Sequence, residues 1–596
     1  VAILQKIQSV MPSSILNRMK QYRVRAREHL DLLSDLLHAR GVTSETAKEN
    51  FLHPSFERDS HDPFLLPDME VAVDRIFAAK KNGEHVCVWS DYDCDGIPGG
   101  VMLAEFLREI GLTVTHYIPH RHKEGFGLNQ EGIDELKEKQ VSLIITVDLG
   151  TSEHENISYA KSKGIEVIVT DHHLPMSKPT AKHLSQKSSG LRPPDGQTFV
   201  QDFLPPALAV INPKRADSAY PFDGLCGAGM AWKLVQGILK KDRAGYAEGK
   251  EKWLVDLVGM ATLSDMVPLV GENRMLAHYG LLVMRKARRP GLSALLKLLR
   301  ITPRTLTEDD IGFMVAPRIN AASRMDNPEI AARLLGATDP GEASALAREL
   351  NHINDERKGV VAATVKEINH RIKESTHLIE SPVIVMGNPK WRPGVLGLVA
   401  NKLVETYHKP VFLWGREGGE VLRGSVRSPD INIVDLMTQA SDAFLEFGGH
   451  HASGGFSVGE ERVHELGARL SKAYETLAQG ATAMPDVMLD RELALSEVPF
   501  ALRDLTSLAP FGEGNRKPLF LFPRVSVAST RVFGKQQNHL EAMLSDGYDA
   551  PISGISFFST AESFQKPLTP NTRVDVVGHV ERDWRGKPRV RIVEVL

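Results

Sequence analysis

Cysteine is scarce in this chain: Cys87, Cys94 and Cys226 are all that 596 residues contain. Three scattered thiols cannot build a disulfide framework or a zinc knuckle. Long apolar runs are missing too. No stretch approaches the ~20 residues that span a bilayer, and no secretory signal is visible at the start, so no membrane partner and a cytoplasmic location are expected. A surplus of basic charge is also lacking. With a formal net charge of −3, any nucleic-acid binding must concentrate positive charge in a groove or channel. What remains is ordinary for a globular protein, 42% hydrophobic and 25% charged, and long enough for roughly three or four domains. There is no internal repeat and no low-complexity tract.

Periodicity divides the chain. Residues 1–60 read as helical, with Leu30, Leu32, Leu33, Leu36 and Leu37 in a dense apolar stripe. From about 75 to 290, apolar strands (85–90, 113–118, 142–147, 165–170 and 208–212) alternate with helix-like stretches such as 100–110, 131–139 and 155–163. Such alternation implies a parallel α/β sheet, which binds ligands outside the carboxyl ends of its strands. Residues 178–203, rich in Ser, Lys, Gly and Pro, read as an exposed loop. A connecting helix is expected at about 340–375, and a second α/β unit at about 382–480. Short β-rich runs from about 485 onward (518–533, 539–544, 551–558, 572–580 and 588–595) suggest a small C-terminal β-barrel.

The chemistry concentrates at strand ends. Asp91-Tyr-Asp-Cys-Asp-Gly follows the apolar run Val86–Trp89. In an extended chain Asp91, Asp93 and Asp95 share one side, and three carboxylates so close repel unless a cation joins them. Hard oxygen ligands suit Mg²⁺ or Mn²⁺. The run also looks like an EF-hand opening, but that motif wants a preceding helix and a Glu at its twelfth position, where this chain has Met102. Asp148, the trio Asp171-His172-His173, and Asp265 also follow strands or lie in Leu-Ser-Asp-Met-Val-Pro. A single such Asp is more often a helix cap or turn former. A parallel sheet gathers these positions on one edge, and together they can supply the mixed ligands and bridging carboxylate of a two-metal site.

These segments closely resemble the metal motifs of the DHH phosphoesterases: Asp91-Tyr-Asp-Cys-Asp-Gly, Val147-Asp148-Leu-Gly, Thr170-Asp171-His172-His173 and Asp265-Met-Val-Pro. Others narrow the resemblance to the RecJ single-strand-specific exonucleases. They are Ala316-Pro-Arg318-Ile-Asn320-Ala-Ala-Ser-Arg324, Trp391-Arg-Pro-Gly-Val-Leu-Gly, Gly424-Ser425-Val-Arg427 and Phe447-Gly448-Gly449-His450. Ala509-Pro-Phe-Gly-Glu-Gly-Asn and Arg582-Asp-Trp584-Arg585-Gly-Lys are similar to that family's C-terminal barrel.

The resemblance implies a parallel-sheet DHH catalytic domain and a smaller α/β DHHA1 domain joined by a long helix, followed by an OB-like β-barrel. The boundaries expected are 1–74 (helical segment), 75–338 (DHH), 339–378 (connector), 379–482 (DHHA1) and 483–596 (OB-like). It implies two Mn²⁺ or Mg²⁺ ions: Asp95, Asp148, His172 and Asp265 on one, Asp93 and Asp148 with Asp91 near the other. His173 and Arg318 would neutralise the scissile phosphodiester, and Asn320 and Arg324 would position it. Ser425, Arg427, Gly448, Gly449 and His450 would seat the terminal nucleotide's phosphate, and Trp584 and Arg585 would contact the strand. The activity implied is 5′→3′ hydrolysis of single-stranded DNA to nucleotides, in repair, recombination or a related pathway. A helicase or single-strand-binding protein is the further partner such a role suggests. Two rival readings are a DHH phosphodiesterase acting on short oligoribonucleotides or cyclic dinucleotides, and a non-catalytic DNA-binding scaffold. The barrel argues against the first and the intact acidic motifs against the second. The chain departs from the pattern at Ile97-Pro98-Gly99-Gly100, where a hydroxyl cap is usual, at Leu149 for a usual Asn, and at Ser323 for a usual Gly.

Overall fold

The computed structural model describes residues 21–178, 201–478 and 486–596, apart from positions 122, 326, 417–420, 535–536, 548–549 and 584. The chain divides into two compact units, one of His61–Val267 with Tyr279–Ala481, the other of Val1–Ser60, Pro268–His278 and Thr482–Leu596. Among the described residues no helix is long and apolar enough to cross a membrane.

The larger unit is built on a five-stranded sheet in the order Thr113–Tyr117, His85–Ser90, Val141–Val147, Glu166–Thr170, Ala209–Ile211. Every neighbouring pair is parallel. The central strands are apolar along almost their whole length because both faces are covered. On one face Ile133, Leu136, Ile157 and Ala160, from helices Gln130–Glu138 and His154–Ser162, share a core with Cys87, Trp89, Ile144 and Val167. Helices Gly96–Glu109 and Gly227–Lys241 meet at Gly99, whose missing side chain leaves room for the Ala228 backbone and the Val147 methyl.

Register positions the site. Ser90, Val147, Thr170 and Ile211 stand side by side at the carboxyl edge. The next residue on each strand is polar: Asp91, Asp148, Asp171 and Asn212. The backbone ladder runs one step further, with the Asp91, Asp148 and Asp171 N–H groups donating to Val147, Thr170 and Ile211 carbonyls. Four strand ends in register therefore deliver a row of polar side chains.

Helix Pro340–Glu374 leads to a second sheet in the order Glu446–His450, Ser453–Val458, Leu422–Arg427, Val411–Arg416, Ile384–Gly387, of which only the last pair is parallel. In the smaller unit, strands Phe520–Phe533, His539–Ser545, Ile552–Phe557, Pro588–Val595 and Arg573–Arg582 pair in turn, and the last closes back on the first. Phe520, Phe522, Val576 and Val590 fill the barrel, joined by Leu36 and Leu37 from helix Leu32–Ala39.

Three local expectations change. Residues 21–60 are not all helical: Tyr22–Val24 pairs in parallel with Val487–Leu489. Three alternating residues with a partner so distant carry no readable period. The loop expected at 178–203 is flanked by paired strands Met176–Lys178 and Gln201–Phe203, while 179–200 lies outside the described residues. The helix expected at 100–110 begins at Gly96. Pro98 falls in the first turn, where a missing N–H is tolerated. The carbonyl it would have bonded, that of Cys94, accepts instead from Ser264 Oγ at 2.8 Å.

Candidate metal centre

Asp91, Asp93 and Asp148 each present a carboxylate oxygen to one small volume, with all three atoms within 4.8 Å of one another. Asp95, His172 and Asp265 do the same, as do Asp148, His172 and His173. His172 Nε2 joins the groups, 3.2 Å from Asp148 Oδ1, 3.8 Å from Asp265 Oδ2 and 3.9 Å from Asp95 Oδ2. Asp148 sits at φ +66°, a left-handed conformation that Asp tolerates better than most residues and that turns its carboxylate across the strand ends.

The surroundings lock this arrangement. Asp93 Oδ1 accepts from the Asp95 and Gly96 N–H groups at 2.8 and 3.2 Å. Asp95 accepts from the Gly227 and Ala228 N–H groups at 2.6 and 2.8 Å, the first turn of helix Gly227–Lys241, where the helix dipole favours an anion. Asp171 holds its neighbour: its Oδ1 is 2.8 Å from His173 Nδ1, so the other ring nitrogen is not tied to Asp171. Its second oxygen accepts from Thr151 N–H, and Asn212 Nδ2 donates to Thr151 Oγ1 and to the His173 carbonyl.

Electrostatics fit a cation. Burial, then the neighbouring Asp93, pushes the Asp95 carboxyl up to about 6. Burial, then Asp95 and Asp93, pushes Asp265 up to about 9. Burial followed by carboxylate repulsion likewise holds Asp91 and Asp148 well above the carboxylate range. His172 is pushed down to about 4 by burial and by its positive neighbour His173. His173 is raised, first by its hydrogen bond to Asp171. Among the described residues Asp91 Oδ1 is buried without a hydrogen-bond donor. Clustered carboxylates that repel, one neutral imidazole and an unsatisfied buried oxygen make a donor set suited to Mn²⁺ or Mg²⁺.

The other expected residues are placed as follows. Asn320 Oδ1 accepts from Cys94 N–H at 2.8 Å, so this side chain braces the acidic loop. Arg318 turns toward helix Pro340–Glu374, donating to Asn351 Oδ1 at 3.0 Å and to the Met314 carbonyl at 2.6 Å. Arg324 donates to the Gly394 carbonyl at 3.0 Å, tying the catalytic sheet's side of the unit to the first turn of helix Pro393–Tyr407. Burial pulls its guanidinium down to about 10, with Arg121 adding to this and Asp93 opposing it.

Ser425 and Arg427 share one face of their strand. Cross-strand register puts Gly455 beside Ser425 and Ser453 beside Arg427, and one strand further on Gly448 pairs with Gly455 and His450 with Ser453. Nothing lies within 4 Å of where a Gly448 side chain would begin, so bare backbone separates the polar groups. Gly449, at φ +154° and tight against the Ser453 carbonyl, shapes the turn. Trp584 lies outside the described residues. Arg585 belongs to a turn whose N–H donates to Asp583, and Arg589 and Arg591 both pair with Glu581.

Sequence reasoning missed several participants. Gly227 was invisible because its role is to be absent: a Cβ there would lie 2.3 Å from Asp148 Cβ. Arg121, 5.0 Å from the Tyr92 ring centroid, and Arg357, with a buried Nε lacking a partner among the described residues, join Arg324 and Arg427 in one field of cations. On the barrel, Phe533, His539 and Phe557 stand in register, and Phe558 is 80% exposed with its N–H held by His539 Nδ1. The signal missed there was the exposed Phe557-Phe558 pair.

A parallel sheet with this divalent-metal ligand set at its carboxyl edge defines a DHH-type hydrolase. The DHH family, N-terminal domain, matches residues 85–190, the DHHA1 domain matches 380–476, and the RecJ OB domain matches 489–593. The single-stranded-DNA-specific exonuclease RecJ of Bacillus subtilis (strain 168) is 30% identical over 567 residues, 94% of this chain and 67% of that one. The protein of the same name from Salmonella typhimurium is 30% identical over 569 residues, 90% and 93% of the two chains. The crystal structure of RecJ in complex with Mn²⁺ from Thermus thermophilus superposes with a TM-score of 0.74 at 28% identity, covering 97% of this chain and 79% of that one. Its Mg²⁺ complex gives 0.69. The chain belongs to the RecJ family of single-stranded-DNA-specific exonucleases.

Proposed function

We propose that this chain is a metal-dependent exonuclease that removes nucleotides from the 5′ end of single-stranded DNA. The observation that carries this reading is the meeting of the Asp91–Asp93–Asp148 and Asp95–His172–Asp265 groups around Asp148 and His172 at one sheet edge. Those residues would hold two ions, with Asp148 shared. Bound there, the ions supply Lewis acidity toward water and the phosphoryl oxygens.

The chain's own groups do the rest. His173, oriented by Asp171 and kept positively charged over a wider pH range, offers a donor to the scissile phosphate. Arg121, Arg324, Arg357 and Arg427 supply a field for the backbone phosphates entering the site. Ser425, Arg427, Ser453 and His450, around bare glycine backbone, suit a terminal phosphate that must approach a strand closely. Asn320 acts indirectly, through the acidic loop. The barrel's Phe533–His539–Phe557 row, with Phe558 beside it and the Arg589 guanidinium 6.0 Å from the Phe557 centroid, fits single-stranded bases, which stack on aromatic faces.

The test uses single- and double-stranded DNA and RNA oligonucleotides, labelled at one end, with Mn²⁺, Mg²⁺ or chelator. Release of a 5′ label first, from single-stranded DNA only and only with metal, is expected. Asp148→Asn should abolish release and Mn²⁺ binding while leaving the circular-dichroism spectrum unchanged. Release of a 3′ label first would overturn the polarity and the phosphate-pocket assignment. Turnover by Asp148→Asn would overturn the two-metal reading.

A further inference from the structure

Arg289 lies away from the chemistry, yet every N–H of its buried guanidinium is engaged. Nε and Nη2 donate to Asp256 Oδ2 and Oδ1 at 2.9 and 3.4 Å. Nη1 and Nη2 donate to Glu105 Oε1 and Oε2 at 2.8 and 3.1 Å. Nη1 also donates to the Leu335 carbonyl at 2.8 Å. Each carboxylate is thus gripped through both oxygens, the most directional pairing an arginine makes.

The two carboxylates belong to helices that carry metal ligands at their other ends. Helix Gly96–Glu109 leaves the acidic loop at Asp95 and reaches Glu105 after about 15 Å at 1.5 Å per residue. Helix Val255–Ser264 starts beside Asp256 and, about 14 Å later, ends on Asp265. The helices run in opposite directions and pack together. At the metal end, only the Cys94 carbonyl and Ser264 hydroxyl bond them directly among the described residues. At the far end an open cavity of about 1080 Å³, lined by Glu105, Asp256, Arg289 and Trp253 among others, takes the place of close packing on one side. There the arginine fork adds a directional, two-carboxylate tie to the packing between the two helices.

We propose that Arg289 is a positioning residue for the metal centre: by clamping Glu105 to Asp256 it sets the spacing between Asp95 and Asp265, and through it the affinity for the ion those two and His172 would hold. The inference rests on the two-metal reading above. A purely stabilising role explains less, since buried ion clusters are weak contributors to net stability and apolar residues of similar volume often serve as well. Metal–oxygen distances, by contrast, tolerate only about 0.2 Å, so a small slip between the helices matters at the ligands.

The experiment measures Mn²⁺ binding to the full chain by isothermal titration, beside the Mn²⁺ concentration for half-maximal nucleotide release and the turnover at saturating Mn²⁺. Arg289→Lys keeps the charge and loses the fork. It should weaken Mn²⁺ binding and raise the half-activating concentration in parallel, each by roughly tenfold, the size seen when groups behind a ligand are removed. Turnover at saturating Mn²⁺ should stay close to wild type, since every side chain that would hold the ions is retained. Glu105→Gln, which loses the charge and keeps one acceptor, should fall between. Arg285→Lys is the control: this arginine bonds only the Leu306 carbonyl among the described residues, and its loss should lower thermal stability without touching Mn²⁺ affinity. Wild-type Mn²⁺ affinity in Arg289→Lys, or a drop no larger than in Arg285→Lys, would overturn the proposal. If Arg289→Lys does not fold, wild-type affinity in Glu105→Gln overturns it. Wild-type Mn²⁺ binding by Asp148→Asn would instead remove the two-metal reading, and the clamp's role with it.

Discussion

At Gly227 a single methyl group would fall 2.3 Å from Asp148 Cβ and 2.5 Å from its Oδ1. The same residue donates its N–H to Asp95, so it serves two carboxylates at once. Gly227→Ala must displace either Asp148 or the helix start. Mn²⁺ affinity is expected to fall about 10- to 100-fold, as for groups supporting a metal ligand, with secondary structure retained. Titration calorimetry decides, and unchanged affinity would mean that the strand end is softer than its register suggests. The residues legible in the sequence were those whose chemistry is explicit: Asp91, Asp93, Asp95, Asp148, His172 and Asp265 are acidic or imidazole groups at strand or helix ends. Gly227 and Arg289 were not, because one acts by lacking a side chain and the other through partners distant in sequence. Asn320 was visible, but not its bond to the Cys94 amide. Leu149 is buried in the sheet's apolar core, so its side chain offers no hydrogen bond to Asp148, the ligand proposed above as shared.

The element that sequence placed least well is helix Gly96–Glu109, since Pro98, Gly99 and Gly100 look like helix breakers and act here as clearances. Pro98 releases the Cys94 carbonyl to Ser264, and Gly99 lets helix Gly227–Lys241 approach. Gly100 faces His116 and Ser90, where any Cβ would sit 2.4 Å from His116 Nε2. His116 therefore occupies the space a larger residue at 100 would take, its Nε2 2.9 Å from Ser90 Oγ. Burial, aided by Arg108, pushes this imidazole down to about 3 from an ordinary value near 6.5. A base depressed in the folded state contributes stability that is fully present above pH 6.5 and is lost as pH falls through about 3. Urea unfolding from pH 7 to pH 3 should show wild type losing stability relative to His116→Gln, by a few kcal/mol at the acid end. Parallel pH profiles for the two proteins would show that His116 is not buried neutral. The five strands of the catalytic sheet, by contrast, were read almost to the residue, because an apolar run between turn residues has few other meanings in an alternating chain.

At the scale of the molecule, the smaller unit draws on three separated stretches of chain. Arg274 donates to the Phe51, Ala509 and Pro510 carbonyls, with its guanidinium 3.8 Å from the Phe51 centroid, so all three stretches meet at one side chain. The sequence could show a barrel at the end and helices at the start, but not that they share a core, since neither period records a partner. Removing residues 482–596 should accordingly leave Leu36 and Leu37 uncovered as well as deleting the barrel. The truncated chain is expected to bind a hydrophobic dye and aggregate, whereas removing 21–60 along with it should lessen both. Equal dye binding by the two truncated proteins would show that the N-terminal helices find other cover. The same discontinuity has a consequence during synthesis. Leu36 and Leu37 leave the ribosome long before Phe520 and Val590, an interval on the order of half a minute to two minutes at ~5–20 residues per second. Throughout it the newborn chain carries an apolar stripe whose resting place has not yet been translated, so the N-terminal segment is where a chaperone guarding unfinished protein would have most to do.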